Sequence, residues 1–417
     1  MNGAPSRLAV RPTDRGWQAI FFGALSLLIA ALIGTTQLYQ LAYALLALLL
    51  ASLALGFFSS RGLSYARRLP ANERPTAGHE SCVDLLVSNS SDLRSPRAEV
   101  LDRLPEPRRF AVDPVVGNAT RKVRTTVGFP RRGIYELGPA EVRTTDPFGF
   151  LRFARRFAER TEVVVYPRAY DLGGFPLGGR GVEPEAWGSF ARQGDEFSTL
   201  REYRHGDERR HIHWKSVART GDLIVREFSA SSPRRYAVVL DLHRAGLRVP
   251  EAEIEDAVSA AASVLAHLSD GNLPFRLLCA DADRNATGFA GGETPFWGAM
   301  RLLATAKADG EAEPAAFLNE THRDELGEGI VLITRALGED LMETVTRLWA
   351  AGLSVVVVAV AAHTYRGTGG GRLAAREAAF SDAARRLELA GAAVRIVRRE
   401  GGVAALAGDR HAAGARR

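Results

Sequence analysis

The chain has 417 residues, of which 46% are hydrophobic, and a formal net charge of +6. This length allows two or three domains with a sizeable core. Its two cysteines, Cys82 and Cys279, are too few for a disulfide framework or a cysteine-based zinc site. Both stand in apolar, strand-like runs, where cysteine behaves as a small hydrophobic residue.

Two uncharged apolar stretches lie near the start of the chain, at residues 17–34 and 38–58. Each is long enough to cross about 30 Å of hydrocarbon as a helix. Only residues 35–37 separate them, so the sequence predicts a transmembrane hairpin that follows an N-terminal segment, residues 1–16.

Arginines flank this hairpin on both sides and are missing from its turn. The positive-inside rule therefore predicts a multi-pass membrane protein with both termini and the soluble domains in the cytoplasm. A signal peptide cleaved near Thr35 is the alternative, but a second span follows at once and no small-x-small site stands clear. The flanking residues are Arg7, Arg11 and Arg15 before the hairpin, and Arg61, Arg67, Arg68 and Arg74 after it.

Residues 63–168 contain short runs of strand-forming residues that are separated by Pro, Gly and Asn, which predicts an antiparallel β-sandwich. Residues 169–194 are rich in Gly and Pro and indicate a linker. A Gly-Gly-Arg-Gly run in this linker could cradle a phosphate. It lacks a preceding strand, a following helix and a Lys-Ser/Thr pair, so a flexible connector is the better interpretation.

Residues 195–230 form a charged segment. Seven acids and seven bases fall between Asp195 and Glu227, with Tyr203 and Trp214 among them. A disordered tail would carry charges of one sign and few aromatic residues. The balanced pattern instead predicts a folded polar surface built on pairs of arginine and carboxylate.

Residues 234–400 alternate short apolar runs with amphipathic segments, a pattern that predicts a doubly wound α/β domain with a mostly parallel sheet. The Gly/Ala-rich residues 401–417 are expected to form a flexible tail.

The order of these parts resembles the bacterial domain-of-unknown-function 58 family. The motifs that carry the resemblance are Arg131–Phe150, Val163–Arg168, Leu200–Asp207, Ile212–Thr220 and Leu223–Phe228. It implies a location in the bacterial cell (inner) membrane, a C-terminal domain like the von Willebrand factor A domain and a MoxR-type AAA+ ATPase as the partner, and it implies no reaction. The family-hallmark positions are Arg201, Glu202, Tyr203, Gly206, Asp207, Ile212, His213, Trp214, Arg226 and Glu227.

Metal-binding von Willebrand A domains carry Asp-x-Ser-x-Ser after their first strand. Asp241 keeps the acid here, but His243 and Ala245 replace the two serines, and Arg244 adds a positive charge. The strand that ends in Thr334-Arg335-Ala336 likewise lacks an acid at a position where such domains often place one. Asp241 is therefore a weak candidate metal ligand, and we expect it to close the sheet edge or pair with an arginine.

A second candidate metal site is the pair His211 and His213, which face the same side if they lie on a strand. A zinc site needs a third protein ligand, which His205 or Asp207 could supply. Neutral imidazoles also hydrogen-bond carboxylates, so a structural or partner-binding role is the simpler interpretation. A metal-dependent hydrolase that uses His211, His213 and Asp207 is the alternative function.

The sequence contains no nucleophile elbow, phosphate loop or dinucleotide fingerprint, so we predict no catalytic residue and no cofactor. Seven acids in the charged segment oppose binding to nucleic acid. We expect Arg201 and Asp207 to be structural, and Trp214 and the histidines of this segment to lie nearer the surface. The leading hypothesis is a non-enzymatic, membrane-anchored cytoplasmic adaptor that presents the charged segment to a MoxR-type AAA+ ATPase.

Overall fold

The computed structural model describes residues 8–177, 196–202, 214, 224–229, 234–244, 250–366 and 370–407. The chain divides into an N-terminal unit, Met1–Tyr166, and a C-terminal unit, Pro167–Arg417.

The N-terminal unit contains two apolar helices, α1 (Asp14–Ile33) and α2 (Thr36–Ser60). Both are long and apolar enough to cross a membrane. The side chain of Thr13 caps α1 by accepting the N–H of Gly16 at 3.1 Å. Gly34 ends α1 with a φ of 80°, a left-handed conformation that glycine adopts without steric cost. The helices thus begin earlier than the predicted spans, and the turn is shorter.

Small residues face inward where the two helices pack together. Ala19, Ser26 and Ala30 are buried on α1, and Ala42 is buried on α2. The hydroxyl of Ser26 donates to the carbonyl of Leu38 at 3.0 Å. Small residues allow two helices in lipid to approach closely, while the large apolar side chains stay on the outer surface.

A strand that the sequence analysis missed precedes α1. Strand β1 (Leu8–Pro12) pairs antiparallel with β9 (Leu151–Phe157). Five residues without a clear alternation give no strand signal of their own. The segment before the helices is therefore part of the β-structure that follows them.

Antiparallel sheets occupy the region predicted to be a sandwich. One has the order β1-β9-β8-β4-β5, a second has the order β2-β3-β6, and β10 pairs with β7. Inward-facing residues from several of these strands form one buried cluster that includes Val83, Leu85, Val100, Val142 and Val163. The remaining strands are β2 (Leu63–Arg68), β3 (Glu80–Asn89), β4 (Ala98–Arg103), β5 (Pro107–Val112), β6 (Ala119–Gly128), β7 (Gly133–Leu137), β8 (Ala140–Thr145) and β10 (Thr161–Val165).

A buried ion pair crosses this core. The guanidinium of Arg67 lies 2.7 Å from the carboxylate of Asp102, and the hydroxyl of Tyr65 donates to the same carboxylate. Burial, followed by the charge of Asp102, raises the pKa of Tyr65. Gly138 has a φ of 112°, and a Cβ there would overlap the Arg67 guanidinium. Arg67 is thus a core residue rather than a free juxtamembrane charge.

The C-terminal unit contains a parallel sheet in the order β14-β13-β15-β16-β17, as the alternating pattern predicts. Two short helices between β14 and β15, Pro314–Glu320 and Arg323–Leu326, were not predicted. The strands are β13 (Tyr236–Leu240), β14 (Phe275–Cys279), β15 (Gly329–Thr334), β16 (Ser354–Val360) and β17 (Ala393–Val397). The helices are α3 (Glu251–Asp270), α4 (Glu293–Thr305), α5 (Pro314–Glu320), α6 (Arg323–Leu326), α7 (Glu339–Ala350) and α8 (Gly370–Leu389).

The structure differs from the sequence-based expectation at the linker and the tail. In the linker, Leu172 and Phe175 are buried, and the N–H of Tyr170 donates to Ser263 of α3 at 2.9 Å. In the tail, Val403 and Leu406 are buried within a short 3-10 helix. Apolar residues within glycine-rich runs anchor both segments, and residues 178–195 and 408–417 lie outside the described part of the chain.

The Arg67–Asp102 pair yields a stability prediction. Arg67→Met should lower the free energy of unfolding by about 3–5 kcal/mol, because it leaves a buried carboxylate without its cation. Chemical unfolding of the detergent-solubilised chain measures the change. Arg124→Met is the control: it breaks the pair with Asp84 in which Arg124 is largely exposed, and it should leave the free energy of unfolding close to that of the wild type. Equal losses for both variants would contradict the assignment.

Candidate functional site at the carboxyl edge of the parallel sheet

The strand order places a crevice at the carboxyl ends of β13 and β15. The chain enters the sheet at β13, adds β14 on one side, and then crosses to β15 on the other. Open α/β sheets bind their ligands where the direction of winding reverses in this way. Asp241 follows β13 and Thr334 ends β15, so both lie at this crevice.

Asp241 is buried, and donors from both strands surround its carboxylate. Oδ1 accepts the N–H of His243 at 2.9 Å. Oδ2 accepts the hydroxyl of Thr334 at 2.9 Å and the N–H of Arg335 at 3.3 Å. Through these hydrogen bonds, Asp241 connects the residues that follow β13 to those at the end of β15, as expected for an aspartate that closes the sheet edge. The side chain of Arg335 also donates to the carbonyl of His243, which ties the two strand ends together.

The second buried carboxylate at this edge belongs to Glu253 in the first turn of α3. Glu253 is 1% exposed, and its oxygens lie 3.6 Å from the Arg335 guanidinium and 3.8 Å from the Arg366 guanidinium. Neither oxygen accepts a hydrogen bond from a described residue. Burial raises the pKa of Glu253, and the charges of Arg335 and Arg366 act in the opposite direction. The group is thus a charged cluster of one carboxylate between two arginines.

Two further polar pairs follow β16. The hydroxyl of Tyr365 donates to Asp256 of α3 at 2.5 Å, and burial raises the pKa of Asp256 while this hydrogen bond lowers it. His363 lies 2.6 Å from Glu377 of α8. Hydrogen bonds from Arg398 and then from His363 lower the pKa of Glu377. Together with Asp241 and Glu253, these pairs give the carboxyl edge of the sheet a polar interior.

The structure describes only part of the family-hallmark positions. Arg201 and Glu202 end strand β11 (Glu196–Glu202), which pairs antiparallel with β12 (Ile224–Ser229), where Arg226 and Glu227 lie. The ladder pairs Arg201 with Val225 and Glu227 with Thr199. Trp214 is 64% exposed, as expected for a residue nearer the surface. Tyr203, His205, Gly206, Asp207, His211, Ile212 and His213 lie outside the described residues.

Among the residues that the structure describes, no three His, Cys, Asp or Glu side chains are grouped so that they could hold a metal ion. The Asp241 carboxylate accepts hydrogen bonds from the chain itself, one of them from the N–H of Arg335. The candidate ligands His211, His213 and Asp207 are outside the described part of the chain, so the zinc hypothesis stays a prediction.

The sequence analysis overlooked Glu253 and Arg366. An acid in the first turn of a helix looks like a solvent-exposed charge that favours the helix N-terminus. Glu253 does stand four and eight residues before Ala257 and Ala261, both buried, so it shares the apolar stripe of α3. This spacing is the signal that could have identified it as buried.

Comparison with known proteins gives one family. Residues 199–366 match the model of the family described as "Protein of unknown function DUF58", which supports the resemblance over this part of the chain. The likeness to a von Willebrand A domain stays a prediction. The uncharacterized protein YeaD of Bacillus subtilis (strain 168) is 26% identical over 220 residues, 51% of this chain and 52% of the relative. The alignment thus spans about half the length of that relative.

Among solved structures, the chain has a match to a GH3 beta-glucosidase of Bifidobacterium adolescentis. The match is 12% identical, covers 30% of this chain and 20% of the other, and has a TM-score of 0.15. A score this low does not indicate a shared fold.

Asp241→Asn should destabilise the chain by about 1–3 kcal/mol, because the amide of asparagine places an N–H donor where one oxygen now accepts a hydrogen bond. The loss should be the same with and without added Mg²⁺, as read from the melting temperature. Thr334→Val, which removes a single donor, is the control and should cost about 1 kcal/mol. A rise in melting temperature with Mg²⁺ that Asp241→Asn abolishes would instead establish a cation site.

Glu253→Gln gives a prediction of pH dependence. The unfolded chain ionises Glu253 near its ordinary pKa of 4.5, whereas the folded chain holds the proton to a higher pH. Between the two pKa values the unfolded state binds fewer protons, so this residue favours unfolding as pH rises. The melting temperature of the variant minus that of the wild type should therefore increase from pH 4.5 to 7.

The control for this measurement is Glu293→Gln, which removes an exposed carboxylate from the first turn of α4 and corrects for the loss of a helix-terminal charge. A difference that decreases as pH rises would mean that the two arginines outweigh burial at Glu253.

Proposed function

We propose that the chain is a membrane-anchored cytoplasmic protein with two transmembrane helices. Strand β1 precedes α1, and its partner β9 follows α2, so the chain enters and leaves the hairpin on the same side of the membrane. Arg11 before the helices, Arg15 in the first turn of α1, and Arg61 and Arg68 after α2 favour the cytoplasm of a bacterial cell, since no Lys or Arg lies in the turn.

We infer that the chain acts as an adaptor and not as an enzyme. The observation that carries this proposal is the exposed indole of Trp214 in the charged segment, 64% exposed. Tryptophan and arginine are the residues most often found at the energetic centre of protein interfaces. The Asp241 carboxylate supports the same inference, because three donors of the chain itself surround it.

The proposed partner is a MoxR-type AAA+ ATPase, and this choice rests on the family resemblance alone. The paired strands β11 and β12 hold the two ends of the charged segment side by side. In the sequence, charges of both signs stand on either side of Trp214, so a partner that carries both charges would fit this segment.

Trp214→Ala tests the proposal. In a pull-down with the full-length chain from native membranes, the variant should retain the AAA+ ATPase more than tenfold less well, since a hot-spot residue contributes about 2 kcal/mol or more. Its melting temperature should be unchanged. Trp349→Ala is the matched control, because Trp349 of α7 is also largely exposed and should not affect binding.

Two results would contradict the adaptor. Equal loss of the ATPase from both tryptophan variants would remove Trp214 from the interface. Stoichiometric zinc in the purified chain that His213→Ala abolishes would favour the alternative, a metal-dependent hydrolase that uses His211, His213 and Asp207.

A further inference from the structure

The N-terminal unit has a basic groove on the outer face of its five-stranded sheet. The groove has a volume of about 830 Å³. Four arginines line it, against two carboxylates, Glu99 and Asp146. The arginines are Arg97, before β4, Arg109 on β5, Arg143 on β8 and Arg152 on β9.

The carboxylates neutralise only part of the groove: Arg143 is paired with Glu141 at 2.6 Å, so the excess of positive charge comes from the other three arginines. Asp146 is turned toward its own loop, where it accepts the N–H groups of Phe148 and Leu151. Glu99 reaches Arg109 only at 4.0 Å. Arg97 and Arg152 have no ion-pair partner among the described residues.

A further arginine adds to this excess of positive charge. The β1–β9 ladder places Arg11 directly opposite Arg152, so their side chains share one face of the sheet. Like charges at directly opposed positions destabilise a sheet. A bound anion would offset this repulsion.

The groove adjoins the loop that contacts both apolar helices. Asp146 and Pro147 line the groove, and the Asp146 carboxylate accepts the hydroxyl of Ser52 on α2. Thr13, which caps α1, donates to the carbonyl of Gly149 at 2.6 Å. Phe148 lies in the same loop and is 42% exposed.

This position matches that of lipid phosphates. Trp17, in the first turn of α1, is largely exposed. Tryptophan is enriched at the membrane–water interface, so Trp17 indicates the depth of that interface along α1. The headgroup layer on each side of the hydrocarbon is only about 5–8 Å thick. A groove beside the base of the helices therefore opens at the depth of the headgroups.

We propose that this groove binds the phosphate headgroup of an anionic phospholipid. Arginine guanidinium groups pair with phosphate oxygens through two parallel hydrogen bonds. The inference rests on the proposed membrane anchor, because only an inserted hairpin brings the groove to the lipid surface.

The test uses the full-length chain in nanodiscs of phosphatidylcholine that contain phosphatidylglycerol, and native mass spectrometry counts the lipids retained after release. The wild type should retain phosphatidylglycerol at least tenfold over its share of the bilayer. The double variant Arg97→Gln, Arg152→Gln should lose this enrichment at least fivefold.

The matched control is the double variant Arg103→Gln, Arg156→Gln. It also removes two arginines, Arg103 at the end of β4 and Arg156 on β9, both outside the groove, and it should retain the enrichment within twofold. Equal loss in both double variants would overturn the proposal, since it would indicate general attraction to a charged surface.

Two further measurements distinguish a lipid phosphate from a soluble phosphate, and the proposed groove from the proposed membrane anchor. Glycerol 1-phosphate and inorganic phosphate at millimolar concentration should not displace the lipid, and displacement would assign the groove to a soluble anion instead. Flotation with vesicles of phosphatidylcholine alone tests whether the two helices anchor the chain in a bilayer that lacks anionic lipid. A chain that floats without enriching phosphatidylglycerol overturns the groove and keeps the anchor, whereas a chain that does not float overturns both.

Discussion

The N-terminal unit depends on the buried carboxylate of Asp146. This carboxylate would cost several kcal/mol if its oxygens were left without donors in the interior. Leu151 and Phe148 donate their N–H groups at 2.5 and 2.9 Å, and Ser52 of α2 donates its hydroxyl. The same carboxylate therefore holds the loop between β8 and β9 in shape and attaches the second apolar helix to it.

Close approach by small residues completes this attachment. A Cβ at Gly16 would overlap the carbonyl of Phe150, and a Cβ at Gly56 would overlap the ring of Phe153. With 25 residues, α2 is about 37 Å long, which exceeds the roughly 30 Å of a hydrocarbon core. Its carboxyl end, which carries Gly56, packs on the sheet. The helices and the sheet thus form one body, joined at the loop of residues 146–150.

The sequence predicts those parts of the fold whose signals are local. The two apolar helices and the buried strands such as β16 are continuous apolar runs, and the amphipathic period of α7 is equally clear. Strand β1 escaped prediction because five residues acquire their strand conformation from a partner about 140 positions later. The packing of Val403 and Leu406 was missed for the same reason. Their burial depends on contacts made in the folded protein, which a glycine-rich composition does not reveal.

The candidate site was predicted in part. Asp241 was identified from its place after an apolar strand, and its hydrogen bonds connect two strand ends. Glu253 was missed because burial and ion pairing are properties of the tertiary structure. Burying one carboxylate between Arg335 and Arg366 adds little net stability, since desolvation cancels most of the attraction.

Loss of Glu253 would, however, leave the buried guanidinium of Arg335 without its carboxylate partner, so the three side chains hold the start of α3 and the ends of β15 and β16 in one arrangement. Because Glu253 is 1% exposed, this cluster stabilises the sheet edge from within and presents no carboxylate of its own to a partner.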